Sequence, residues 1–354
     1  MKARILALVA LVALAFSACS EDESPVAPDE TPTAPSKYVN AATGDDSNPG
    51  TSGEPWATIT HAVSAADTLV TIRVAPGTYN AAGGESFPIM MKKGQKLIGD
   101  VSNKGAGTME TRVQGDGDYV LDQMDGAALV GAEGARIAGF VIVGETNPSF
   151  YAGIAVDGVV MEIDHNTFAL TYVGVVSSNG AGPNVHDNEF SNVSYGLFMD
   201  RSANALVHHN DIGNSSVGIR VDNATDCILE YNTIRTLQVG VQSSGAGNPA
   251  TIRNNEFDPS SDYVFAAIDV TNGSPVIRNN TFTSGPALWV RNIGTPDMGT
   301  VDDAGGNDMT AISGTIIQHD GIRTATAVGN RWPHEPPIAG DIVITSTGTV
   351  VTEW

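Results

Sequence analysis

Six short stretches decide the fold: MEIDHNTF at 161–168, NVHDNEF at 184–190, ALVHHNDI at 205–212, ILEYNTI at 228–234, TIRNNEF at 251–257 and VIRNNTF at 276–282. Each places an apolar residue, two polar residues, an Asn, one polar residue and then Phe or Ile. The Asn returns as Asn166, Asn188, Asn210, Asn232, Asn255, Asn280, Asn307 and Asn330. A Gly opens a short β-branched run eight residues after the first four of them, at Gly174, Gly196, Gly218 and Gly240. A fixed period of about 22 residues is too short for a pair of helices. Gly-punctuated β-branched runs read instead as short strands joined by turns. The unit is one coil of an all-β solenoid, a single-stranded parallel β-helix, whose coils stack at the spacing of neighbouring strands. Equal repeat positions then form columns, and the Asn amides are expected to stack inside the turn and hydrogen-bond along the column.

The 354 residues include 39 Gly and few aromatics, which suits many tight turns and one large core. The N-terminus carries Lys2 and Arg4, an apolar run from Ile5 to Phe16, and then Ser17-Ala18-Cys19. This has the charged and apolar regions of a secretory leader and is too short for a spanning helix. It resembles a bacterial lipoprotein signal, with Phe16 standing where Leu is usual, and the resemblance implies lipidation of Cys19. The expectation is a signal peptide over 1–18 and an exported envelope lipoprotein at the outer membrane or cell surface, meeting the membrane only through its lipid. Residues 19–36, acidic and rich in Pro and Thr, read as an extended tether. The β-helix domain is expected over 37–354, with an N-terminal cap and first coils at 37–104, central coils at 105–332 and a C-terminal cap at 333–354. Thr58 to Ala66 places apolar residues at helical spacing and is expected to form a short capping helix. With Cys19 lipidated, Cys227 is the one remaining thiol, at an inward repeat position shared with Met161 and Ala205. The formal net charge of -22 argues against nucleic acid and anionic lipid as partners. A monomer is expected.

Residues 38–99 carry a resemblance to a known family. Asp46, Asn48, Pro49, Gly50 and Thr51, then Pro55, Thr58, Ile59 and Ala62, then Val74-Ala75-Pro76-Gly77-Thr78-Tyr79 and finally Leu97 and Gly99 are similar to the opening of a bacterial domain-of-unknown-function family. That family lies within the pectate-lyase-like superfamily, and the resemblance implies a right-handed parallel β-helix.

Period-two reading of the strands after each Gly separates wall from surface. Ile154, Val156, Leu197, Met199, Ile219, Val221, Ile268, Val270, Leu288 and Val290 point inward. Phe198, Arg220, Gln242, Asp269 and Trp289 then form one outward column, and Asp157, Asp200, Asp222 and Arg291 belong to the next. Exposed rings beside carboxylates, a guanidinium and an amide suit stacking on sugars and binding of their hydroxyls. Asp157, Phe198, Asp200, Arg220, Asp222, Gln242, Asp269 and Trp289 are therefore the expected surface for a polysaccharide or surface glycan. A second outward column holds Asp164, His186, His208 and Glu230, types that ligate a divalent ion.

Enzymatic readings have less to stand on. Family-nine pectate lyases, whose N-terminal text is similar, use a Lys base in the central coils, whereas this chain has no Lys after Lys104. Arg220, or else Arg201, is the substitute base for a polysaccharide lyase, with Ca2+ held by Asp200 and Asp222. No cofactor is otherwise required. The motifs of polygalacturonases, zinc proteases, P-loops and serine elbows are absent. A glycan-binding surface protein is the leading expectation, a lyase the first alternative, and a structural or adhesive surface protein the second.

Overall fold

The computed structural model describes residues 35–144, 150–245, 250–259 and 265–352. The leader, Cys19, almost all of the tether and the last two residues of the chain lie outside the described residues. What is described is an all-β, right-handed parallel solenoid of about 11 coils with 4% helix. Each central coil contributes a strand to each of three sheets, which have ten, nine and twelve strands. In a central coil these strands are Asn184–His186, Glu189–Ser191 and Tyr195–Asp200. Among the described residues no helix is long and apolar enough to cross a membrane.

The Asn ladder sits between the first and second sheets. Nδ2 of Asn166 lies 3.1 Å from Oδ1 of Asn188, and the same bond repeats at 2.8–3.0 Å through Asn210, Asn232, Asn255, Asn280, Asn307 and Asn330. Each amide also accepts the backbone N–H of the Asn before it and donates to a carbonyl of an earlier coil, as Asn210 does to Val185. All eight are buried. The period of 22 holds only from Asn166 to Asn232; later steps are 23, 25, 27 and 23 residues, and the mean coil is about 25. The longer steps leave the ladder bonds in place, so the column survives.

Inside the coils the second sheet stacks Phe168 on Phe190 at 4.7 Å and Phe257 on Phe282 at 4.9 Å. All ten residues read as inward are buried in the same core. Gly218 stands where the chain enters the third sheet, and a Cβ there would meet the carbonyl oxygen of Gly240 at 2.5 Å. Cys227 is wholly buried, and burial pushes its thiol pKa up, so it acts as a small apolar side chain. The one α-helix among the described residues, Ile59–Ala65, is N-capped by Thr58 and buries Ile59, Ala62 and Val63. Glu85 anchors its start by accepting the N–H groups of Ile59 and Thr60 at 2.7 and 2.8 Å.

Replacing Asn210 by Ala takes the acceptor from the backbone N–H of Asn188 and one bond from its side chain, and removes the donor to the carbonyls of Val185 and His208 inside the turn. A loss of about 2–4 kcal/mol is expected, at the usual cost of orphaning buried polar groups. Chemical denaturation of the two proteins measures it.

Candidate functional site

The outer face of the third sheet carries the residues singled out for a ligand. Strand pairing puts Phe198, Arg220, Gln242, Asp269 and Trp289 on consecutive coils in one column, followed by Gln318. Asp200, Asp222 and Ser244 line up beside them, as do Asp157 and Ser178. A third column holds Ala152, Val173, Tyr195, Val217 and Val239.

The first coils of this face are covered. Gly117–Leu121 folds back on Met124–Val130 as the one antiparallel pairing among the described residues. Leu121 and Met124 form a separate apolar cluster with Ala152, Ala155, Val176 and Phe198. Phe198 was expected to be exposed, but it is 3% exposed. It belongs to the small core beneath this hairpin, which period-two reading of its own strand could not reveal.

Two ties hold the hairpin down. The Tyr119 hydroxyl donates to Asp157 Oδ2 at 3.2 Å, and Asp122 at the hairpin turn pairs with Arg201. Arg201 also pairs with Asp200, so one guanidinium bridges two neighbouring carboxylates. The second oxygen of Asp122 is buried with no donor. Burial, with the neighbouring Asp122 carboxylate adding to it, pushes the Asp200 pKa up, against the hydrogen bond from Asn223.

Beyond the hairpin the face opens. Tyr172 and Tyr195 meet edge to face at 5.7 Å, and the Arg220 guanidinium lies 4.7 Å from the Phe198 ring centre and 6.0 Å from that of Tyr195. Arg220 is tied to Asp222 at 2.6 Å, and Ser244 donates to the other oxygen of Asp222 at 2.5 Å. Although burial works against its charge, these bonds hold the Arg220 pKa above its ordinary value. A base must first be free of its own proton, and Arg220, tied to Asp222, is unsuited to that role. Asp222 and Asp200 are each paired with a guanidinium group. At the far end Trp289 stacks against Phe265 at 5.6 Å, lies under Arg291 at 4.7 Å and donates its indole N–H to Asp320 at 2.7 Å. Asp269 is buried and paired with Arg291, and Gln242 donates to it at 3.3 Å.

Sequence reading missed Tyr119, Asp122, Tyr172 and Tyr195 as parts of this face, and took Arg201 only as a substitute base. Tyr172 and Tyr195 had a usable signal, standing two and one positions before the repeat Gly.

The column read as a metal site aligns in register, Asp164 with His186, His208 and Glu230. Its four side chains do not converge. His208 Nε2 lies 3.1 Å from Asn184 Oδ1, and Glu230 is paired with Arg253 at 2.7 Å. Each is engaged instead by a partner one coil away, His208 by Asn184 and Glu230 by Arg253.

Residues 42–339 match the profile of a family described as Protein of unknown function (DUF1565). The chain belongs to the DUF1565 family. No curated protein matches the sequence. Among solved structures, the GH136 lacto-N-biosidase from Eubacterium ramulus is 12% identical, with 90% of this chain and 67% of that one covered at a TM-score of 0.50. DFA-IIIase from Arthrobacter chlorophenolicus A6 is 11% identical over 89% of this chain and 94% of that one, with a TM-score of 0.48. An alginate lyase from Paenibacillus sp. is 18% identical over 89% and 98%, with a TM-score of 0.39. The first of these places the DUF1565 chain in the parallel β-helix fold, and its identity supports nothing finer.

The hairpin tie is expected to respond to pH. The pKa of Asp200 is raised in the folded state, so the protonated carboxyl favours the closed pair. That contribution is complete below the ordinary carboxylate range and is lost as pH rises through the raised value. Hydrogen exchange of residues 117–124, corrected for intrinsic rates, should therefore be slowest in acid. Asp122→Asn should flatten the dependence by removing the second charge.

Proposed function

We propose that this DUF1565 chain is an exported, lipid-anchored protein that binds a polysaccharide or surface glycan along the open part of the third sheet's outer face. The observation that carries the reading is the row of partly exposed groups Tyr172, Tyr195, Arg220 and Gln242 on successive coils, with Trp289 two coils further on. Aromatic rings at the two ends offer apolar platforms, and between them stand groups that donate and accept hydrogen bonds. Flat parallel strands repeat these groups along a line, which suits an extended chain better than a small ligand. The fold shared with a lacto-N-biosidase supports a carbohydrate-related role. The leader and Cys19 support export and anchoring.

A structural or adhesive surface protein is the second reading. It is favoured by the internal pairing of Arg201, Arg220 and Arg291, which leaves these guanidinium groups satisfied without a ligand. A lyase has less support, because Arg220 holds its proton too firmly.

Glycan-array screening of the mature protein, followed by titration of the best ligand, separates the readings. Trp289→Ala and Tyr195→Ala should each weaken binding roughly five- to tenfold, the worth of about 1 kcal/mol for a stacked ring. Circular dichroism should remain unchanged. A blank array favours the adhesive reading. Incorporation of labelled fatty acid that disappears in Cys19→Ala checks the anchor.

A further inference from the structure

The outer side of the first sheet gathers a second set of titratable groups, away from the proposed glycan face. Glu162 and Asp164 stand on one strand, and His186 pairs directly with Asp164 on the next. His165 and Asp187 follow at the adjoining turns.

His186 is held from both sides. Its Nδ1 lies 2.8 Å from Asp187 Oδ2, and its Nε2 lies 3.2 Å from Glu162 Oε1. A neutral imidazole carries one N–H. If Nδ1–H donates to Asp187, Nε2 turns its lone pair toward a carboxylate oxygen. Two electron-rich atoms at that distance need a cation between them.

Asp164 supplies a third donor. It is wholly buried, and Arg136 spans it with bonds of 2.7 Å to Oδ1 and 2.6 Å to Oδ2, while His165 Nδ1 lies 2.8 Å from Oδ2. Each carboxylate oxygen has two lone pairs, so Oδ1 keeps one that Arg136 does not use. One donor atom from each of Glu162, Asp164 and His186 lies within 4.8 Å of the other two. Charge points the same way. Glu162, Asp164 and Asp187 carry three negative charges, and Arg136 is the one cation paired with the group. With neutral imidazoles, two negative charges remain, the balance of a single divalent ion.

We propose that Glu162, Asp164 and His186 form a binding site for a divalent transition cation of the Zn2+ class. One imidazole nitrogen and two carboxylate oxygens suit that class, and hard Ca2+ prefers an all-oxygen shell. Asp187 fixes the ring so that Nε2 faces the ion, and Arg136 orients the buried carboxylate, as outer-shell partners do at metal sites. Glu162 is half-exposed, which leaves a coordination position open to solvent. The site differs from the column read in sequence by taking Glu162 from the same strand and leaving out His208 and Glu230.

Isothermal titration of the chelator-treated full chain with ZnCl2 tests the assignment. One ion per chain at micromolar affinity is expected. Glu162→Gln and His186→Ala should each weaken binding by at least about tenfold, and Asp187→Asn by a similar or smaller factor, in line with outer-shell losses at known sites. His209→Ala should bind as the parent does, and CaCl2 should give no saturable heat. Melting of the metal-free variants is compared with the metal-free parent. Should His186→Ala fail to fold, the half-exposed Glu162→Gln carries the test. No saturable zinc binding, or binding untouched by Glu162→Gln, overturns the proposal and makes a proton on His186 the cation between the two acids.

Discussion

A buried amide column governs how these coils stack. Each Asn of the ladder is removed from water, and an unpaired amide there would cost several times what a surface hydrogen bond contributes. The demand can be met only if the next coil presents an Asn at the same height. Slipping a coil by one residue would break the bonds on both sides and turn the inward strand residues outward. Register is therefore fixed at the turn, and the strands inherit it.

The residue before each ladder Asn shows what the turn requires. His165, Asp187, His209, Tyr231, Asn254 and Asn279 all lie in the left-handed region, with φ between 52° and 56°. Asn and Asp enter that region readily, while His and Tyr do so at some cost. Because the backbone is committed there, the side chain points out of the corner beside the outward end of the first sheet. This geometry sets His165 beside Asp164 and Asp187 beside His186. The scaffold's own turn chemistry thus assembles polar clusters on its surface, whether or not a given cluster is used.

Much of the fold was legible because a solenoid writes its geometry periodically. The Asn ladder, the inward residues from Ile154 to Val290, the crowded Gly218 position and the short helix after Thr58 all follow from local spacing. What was not legible is what crosses the period. The hairpin at Gly117–Leu121 brings Asp122 to Arg201, 79 residues away. Nothing in the strand Tyr195–Asp200 marks Phe198 as covered. Lateral choices were equally hidden: Glu230 meets Arg253, and Glu162 reaches His186, because partners one coil apart compete with those in the same strand. A column lists candidates, while side-chain length and neighbouring charge select among them.

Charge on the third sheet's face constrains what it can meet. Arg201, Arg220 and Arg291 are each bound to carboxylates of the face itself. Asp157 and Asp320 are held by hydroxyl, amide and indole donors rather than by a cation. An anionic polymer would have to break existing ion pairs before gaining new ones, in a chain whose formal charge is already -22. An uncharged chain faces no such exchange: it can lie on Tyr195 and Trp289 and bond to oxygen and nitrogen atoms whose charges are already balanced. The internal pairing that makes the face look self-sufficient is thus also what would let it accept a neutral glycan without first unmaking its own contacts.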